Sequence, residues 1–441
     1  MPAAIAAHFP PAALVTLETG VEAPPLIPLA RRERILARRA VFDSEYWKII
    51  AQCARRAPAV ATEVEYLREH DKAWNARLAL VNGANESIVC STYCIEPDAF
   101  GLAYVDALIA AKKRGVAVAL VIDTLAQKFV MKGAQADALA MKLKELEASG
   151  ATVRRFGGLE QQSRLLASGN HAKMLVVDGM HAIAGGRNVG GNYYGHLFRD
   201  FEMRMTGPVA LQMQADFMTI LGRTDYEKGP GTFSLPARPG EKGPGKIAGL
   251  YHVVTWDPLH DGGEIMREKN RITQALLMTF LRARREITLT SNYVVGHPEL
   301  RQALIDAAQL GVKVRIITTG ESASHISKMA YRATTPGYDE LVAAGVEIYE
   351  TQDTPDHAKI FVVDDVAAFG SYNLSDYADG RLSETLIFTA AANDVAKMRA
   401  ILEESIAKGS TRYVPGAEPK LSFGERFKRW IGSLVYTVRS A

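Results

Sequence analysis

The pattern His-x-Lys-x-x-x-x-Asp occurs twice, as His171, Lys173 and Asp178 and again as His357, Lys359 and Asp364. An imidazole titrating near neutrality can act as nucleophile, base or acid, and the lysine two residues on supplies a positive charge. On a strand, side chains alternate with period two, so His and Lys would project from one face. The apolar run behind each pair, MLVV or IFVV, would bury the rest of the strand. A lone copy reads more simply as a core histidine beside a solvated lysine. A second copy at the corresponding place of a repeated frame reverses that weighting. Asp178 and Asp364 fall in the turns VVDG and VVDD, where aspartate bonds backbone amides, and are expected to be structural.

The frame that must position these residues is a duplication. In the first half SIVCSTYCI, YVDALIAAKKRGVAVALVID, KLKELEASGATVRRF and HAKMLVVDG follow one another. In the second, EITLTSNYVV, RQALIDAAQLGVKVRIITT, DELVAAGVEIYE and HAKIFVVDD repeat the order. Leu300, Ala303, Leu304, Ala307 and Ala308 have helical spacing, Gly311 is a stop signal, and a β-branched run follows. Helices alternating with continuously apolar strands predict an α/β fold. The expected architecture is two similar α/β lobes, each a mixed, mainly parallel sheet covered by helices, with the active site at their interface. The expected divisions are an N-terminal extension (1–74), a first lobe (75–210), a linker with a Gly/Pro-rich loop (211–270), a second lobe (271–415) and a C-terminal amphipathic segment (416–441).

Composition narrows the class. Of the 441 residues, 48% are hydrophobic and 23% charged, which excludes a disordered or collagen-like chain. The three cysteines, Cys53, Cys90 and Cys94, form no CxxC knuckle, so neither structural zinc nor a disulfide framework is expected. The N-terminus lacks the basic and apolar regions of a secretory signal, and no apolar run reaches the roughly 18 residues needed to cross a bilayer. A net charge of +3 gives no bias toward a polyanion.

Each motif is followed by a small-residue turn ending in asparagine, GGRN (Gly185 to Asn188) and GSYN (Gly370 to Asn373). Together with the paired HxKxxxxD motifs, this resembles the phospholipase D superfamily. NHAKMLVVDG, FRDFEMRMTGP and YDELVAAGVEIYE, the last preceding HAKIFVVDD, are similar to bacterial cardiolipin synthases. Leu382 stands where many members have asparagine, and the spanning helices with which cardiolipin synthases commonly begin are absent.

The resemblance implies a covalent phosphohistidine and a two-step displacement, with His171 as nucleophile and His357 as general acid. Asp200 and Glu384, at matching places in the two halves, resemble the family's orienting acids, which pair across the lobes: Glu384 with His171, and Asp200 with His357. A phosphodiester repels nucleophiles through its non-bridging oxygens, so the site needs donors there. Lys173, Lys359, Asn188 and Asn373 are expected to supply them, with Ser371 as a further candidate. The tandem Gly185 and Gly186 would allow close approach, either of backbone to phosphate or of lobe to lobe, and Gly370 is expected to be a structural residue of the second motif. No metal or other cofactor is expected, since lysines carry the charge.

In the tail, Phe423, Phe427, Trp430, Ile431 and Leu434 have helical spacing with basic residues largely elsewhere, as in a helix lying in an anionic membrane surface. The expectation is therefore a phosphatidyltransferase, cytoplasmic and peripheral to the inner membrane, acting on phospholipids. Two alternatives share the chemistry: a phospholipase D releasing phosphatidate, and a nuclease of the same superfamily, which the balanced charge does not favour.

Overall fold

A computed structural model describes residues 42–157, 169–222, 247–257, 270–292, 294–295, 297–323, 331 and 335–415. Most of the expected Gly/Pro-rich loop, the first 41 residues, and the tail with Phe423, Phe427, Trp430, Ile431 and Leu434 lie outside the described residues.

Strands β1 (Ala59–Ala61), β2 (Glu63–Leu67), β3 (Ser87–Thr92), β4 (Ala117–Asp123), β5 (Thr152–Phe156), β6 (Gly169–Asn170), β7 (Met174–Val177), β8 (His181–Gly185) and β9 (Glu202–Thr206) come from the first half. The second supplies β10 (Gly249–Trp256), β11 (Glu286–Thr290), β12 (Val294–Val295), β13 (Lys313–Thr319), β14 (Glu347–Thr351), β15 (Ile360–Val363), β16 (Val366–Gly370), β17 (Leu374–Ser375), β18 (Leu382–Thr389) and β19 (Ser410–Arg412). One sheet has the order β2-β9-β8-β7-β3-β4-β5 and the other β1-β10-β18-β16-β15-β11-β13-β14-β19. The duplication is visible in the order: β3, β4, β5, β7 and β8 take the places of β11, β13, β14, β15 and β16.

Both sheets are mixed, but the expectation of mainly parallel sheets is corrected. Only β3-β4-β5 and β11-β13-β14 run parallel within the main ladders. The remaining ladder pairs along both sheets are antiparallel. Helical crossovers join the parallel strands, whereas each motif strand turns back directly, through Asp178 or Asp364, into an antiparallel neighbour. Helix-to-strand turns are closed by Gly115, Gly150, Gly311 and Gly345, all with φ between 84° and 99°, so the stop signal at Gly311 is realised.

Alternation along the strands divides the core into three layers. Ile88, Leu175 and Val177 pack outward beneath helices His70–Gly83, Ala99–Lys113 and Ala136–Ala148. Ile287, Phe361 and Val363 do the same beneath Arg271–Phe280 and Pro298–Gln309. Met174, Val176, Ile360 and Val362 face inward and meet across helices Pro208–Leu221 and Ala392–Ala407, which fill the space between the sheets. A strand buried on both faces reads as a continuous apolar run, which is why MLVV and IFVV show no alternation.

Two of the expected divisions are redrawn. Residues 249–256, expected in the linker, form β10, which pairs with both β1 and β18. Burial of Tyr251, Val253, Val254 and Trp256, about 1.5–3 kcal/mol each, offsets an ordering cost of about 1–2 kcal/mol per residue. Residues 44–74 are not a separate extension either. Helix Ser44–Ala54 buries Tyr46 and Ile50 in the second lobe's outer core, while β2 extends the first lobe's sheet.

Candidate active site

The two histidines lie just ahead of β7 and β15 rather than within them, on extended segments leading into each strand. Each segment is held by the opposite half. Asn170 pairs in parallel with Ser383 and the His171 amide donates to the Ser383 carbonyl at 2.8 Å. In the equivalent place, Arg199 bridges Asp356, and the His357 amide donates to the Arg199 carbonyl at 2.7 Å. The residue after each of these accepting carbonyls, Glu384 or Asp200, is an acid. Nδ1 of His171 bonds Oε1 of Glu384 at 2.8 Å, and Nδ1 of His357 bonds Oδ2 of Asp200 at 2.8 Å. An ionised carboxylate only accepts, so each Nδ1 carries the proton and each Nε2 presents its lone pair.

All four groups are buried, Asp200 and Glu384 completely. Burial drives the His171 imidazole down to about 4 against the pull of Glu384, and His357 down to about 3. Both are therefore neutral near pH 7 in the empty site. Burial alone would raise the Asp200 carboxyl, but His357, Lys359 and Arg187 outweigh it and hold it down at about 2. Lys173 and Lys359 donate to the carbonyls of His171, at 2.8 Å, and of His357. Their burial lowers Lys173 to about 7 and Lys359 to about 8, opposed by Glu384 and Asp200. Two desolvated ammonium groups short of counter-charge form a strong anion site. Among the described residues no group of three or more His, Cys, Asp or Glu is placed to hold a metal ion.

Other expected residues take up different tasks. Ser371 directs its hydroxyl proton to Oε2 of Glu384 and accepts the Thr385 amide at 3.0 Å, so it supports the acid that orients His171. Asn188 donates to the Tyr193 hydroxyl at 2.7 Å, and the side-chain oxygens of Asn188 and Asn373 are buried without a hydrogen-bond partner. Each of the glycines admits a neighbouring group from its own half. A Cβ on Gly185 would stand 2.2 Å from the Phe201 carbonyl, and one on Gly370 2.1 Å from that of Thr385, so both let the next strand approach. On Gly186 it would meet Asp200 Oδ1 at 2.2 Å, so this glycine makes room for the carboxylate that orients His357.

Asp178 and Asp364 are structural, though the amides they bind are distant in sequence. Asp178 accepts the amides of Asn85, Glu86 and Ser87 at 2.8–3.0 Å, and Asp364 those of Arg284, Arg285 and Glu286 at 2.8–2.9 Å. Each thereby ties the start of β3 or β11 to the end of its motif strand.

Sequence reasoning missed the rings that pack on the imidazoles. Tyr93 meets His171 edge-on at 4.9 Å and lies 5.4 Å from the Lys173 ammonium. Tyr193 meets His357 edge-on at 5.3 Å, and Phe198 stacks on it at 6.0 Å. It also missed Arg187, which is buried and donates to the carbonyls of Leu67 (2.7 Å), Arg68 (2.6 Å) and Asp200 (3.2 Å). Its place inside GGRN was the available signal.

Known proteins share this arrangement in sequence and in fold. The family described as "Cardiolipin synthase, PLD-like domain" matches residues 78–207 and 276–406. The chain is 27% identical to cardiolipin synthase 1 of Bacillus anthracis over 355 residues, covering 77% of this chain and 65% of that protein. To cardiolipin synthase B of Salmonella typhimurium it is 27% identical over 323 residues, covering 71% and 72% respectively. The chain thus spans about two-thirds of the length of the curated relatives it matches. A similar fold occurs in the crystal structure of phosphatidylserine synthase of Haemophilus influenzae, with a TM-score of 0.65 at 13% identity over 89% of this chain and 98% of that one. With both repeats matched and the two motifs joined by crossed imidazole–carboxylate pairs, the chain belongs to the phospholipase D-like family of cardiolipin synthases.

Proposed function

We propose that this protein is a phosphatidyltransferase of the cardiolipin synthase type, working through a phosphohistidine. One observation carries the reading. Each histidine takes its orienting acid from the other half at 2.8 Å, which leaves the Nε2 lone pair of each imidazole for chemistry beside the two buried lysines. His171 is the nucleophile: its Nε2 forms a bond to phosphorus as the bond to the donor lipid's headgroup oxygen breaks. His357 gives that oxygen a proton. His357 is neutral in the empty site, and the bound phosphodiester anion is what favours its protonation. In the second step the acceptor hydroxyl returns a proton to His357 and attacks phosphorus, and the P–N bond breaks. Lys173 and Lys359 hold the non-bridging oxygens, with Asn188 and Asn373 as further donors. Phosphatidylglycerol as both donor and acceptor gives cardiolipin and glycerol; water as acceptor gives phosphatidate.

The relatives named cardiolipin synthase support the lipid acceptor. Among the described residues no helix is long and apolar enough to cross a membrane. A lipid substrate favours a peripheral enzyme at a membrane surface, with the tail residues Phe423, Phe427, Trp430, Ile431 and Leu434 as one contact. Incubation of the full chain with phosphatidylglycerol vesicles in EDTA, with products identified by mass spectrometry, tests the reading. Cardiolipin that is lost in His171→Ala supports it; phosphatidate alone makes the protein a hydrolase.

A further inference from the structure

The strands β3, β4 and β8 run in one direction, and the loops at their C-terminal ends, with the segment that enters β7, carry His171 and its surroundings. Helix Thr124–Val130 leaves β4 at this end. It is pinned by two buried side chains, one of which reaches the segment that carries His171. Asp123 accepts the Ala126 amide at 2.8 Å with one oxygen and the Asn170 amide, next to His171, at 2.9 Å with the other. Gln127 is buried and exchanges two hydrogen bonds of 2.8 Å with the backbone of Ile95. With Gln127 turned inward, Lys128 and Phe129 face outward, and Phe129 is 59% exposed. Lys132 is exposed one turn later, and the stretch TLAQKFVMKGAQ (124–135) contains two lysines and no acid. At the same end of the sheet, Leu197 is 42% exposed while its neighbour Phe198 stacks on His357.

An isolated exposed apolar side chain is ordinary. Here an exposed phenyl stands between two lysines, without a carboxylate in its segment, on an element anchored to the site that would take a lipid phosphodiester. We propose that the Lys128–Phe129–Lys132 turn, with Leu197, seats the active-site end of the first lobe on an anionic phospholipid bilayer. The phenyl enters the headgroup region and the lysines meet lipid phosphates. This rests on the lipid reading above, and it brings the substrate to the rim without requiring the lipid to leave the membrane.

The test uses the full chain with Phe129→Cys carrying an environment-sensitive fluorophore, the three native cysteines being buried, and Asn82→Cys at the opposite end of the lobe as control. Phosphatidylglycerol vesicles should shift the emission at 129 to the blue and leave 82 unchanged, and phosphatidylcholine vesicles should do little. Adding Lys128→Glu and Lys132→Glu should weaken vesicle binding about tenfold or more, at about 1 kcal/mol per cation. Phe129→Ser should lower turnover of vesicle lipid while leaving that of a monomeric short-chain phosphatidylglycerol intact. A water-exposed label on vesicle-bound protein overturns the proposal, as does the absence of vesicle binding. A label already shielded without vesicles does so too, since another part of the chain or a second copy then covers the turn. If the short-chain lipid is not turned over at all, the lipid reading fails instead.

Discussion

Glu384 of the second half holds Nδ1 of His171 of the first, at 2.8 Å and out of contact with solvent. The carboxylate fixes which ring nitrogen carries the proton, and in the proposed mechanism it stabilises the ring that a phosphoryl group would make cationic. Glu384→Gln keeps the shape but can offer its amide as a donor, which turns the imidazole to the wrong tautomer. The expected loss in kcat is about 10³–10⁴-fold, with circular dichroism unchanged. Asp200→Asn should do the same through His357.

The two histidines separate by leaving group. A donor with a p-nitrophenyl headgroup needs no proton on departure, so in the first turnover it should restore most of the about 10²–10⁴-fold lost in His357→Gln. The same donor should leave His171→Gln inactive. Equal rescue of both variants, read from nitrophenol release, would reverse or abolish the assigned roles.

Acid should destabilise the protein through its buried imidazoles. Unfolding frees both imidazoles to take protons near pH 6.5, whereas burial holds them at about 4 and about 3 in the fold. Between those values the unfolded chain binds more protons, so unfolding free energy falls as pH falls. The loss begins near pH 6.5 and reaches several kcal/mol, at about 1.4 kcal/mol for each pH unit between free and buried values. Urea titrations from pH 7 to 4 measure it, and the double variant His171→Gln, His357→Gln should flatten the slope.

Anion binding should take up protons on the alkaline side. Lys173, at about 7, and Lys359, at about 8, are partly or wholly neutral at pH 8.5 in the empty site. An anion between them restores their charge. Titration calorimetry with inorganic phosphate at pH 8.5, in buffers of differing ionisation enthalpy, should show net proton uptake and an affinity that weakens as pH rises.

Asp178 and Asp364 should matter to stability more than to chemistry. Each gathers three backbone amides and sits at positive φ, 52° and 49°. Replacement by Ala orphans those amides and strains the turn, at about 3–5 kcal/mol by denaturant unfolding. Asparagine, which tolerates that conformation, should recover about half.

The duplication, the helix stops and the four motif residues were legible because each rests on local spacing. Gly311 marks its turn by itself, and His and Lys two apart announce a shared face. The bond from Ser371 to Glu384 was not legible, since the two meet only after β16 and β18 pair. The antiparallel majority was hidden for a related reason: MLVV is equally apolar whichever way its neighbours run. Gly186 looked like a phosphate contact, and only the position of Asp200 reveals what its missing side chain admits.

The main-chain bridges Asn170–Ser383 and Arg199–Asp356 stitch the halves together at the very residues that flank the chemistry. A clamshell motion that swung the halves apart would pull both imidazoles off their acids at once. On the proposed function, substrates would therefore come and go by way of side chains and loops at the edge, while the floor of the site keeps its geometry.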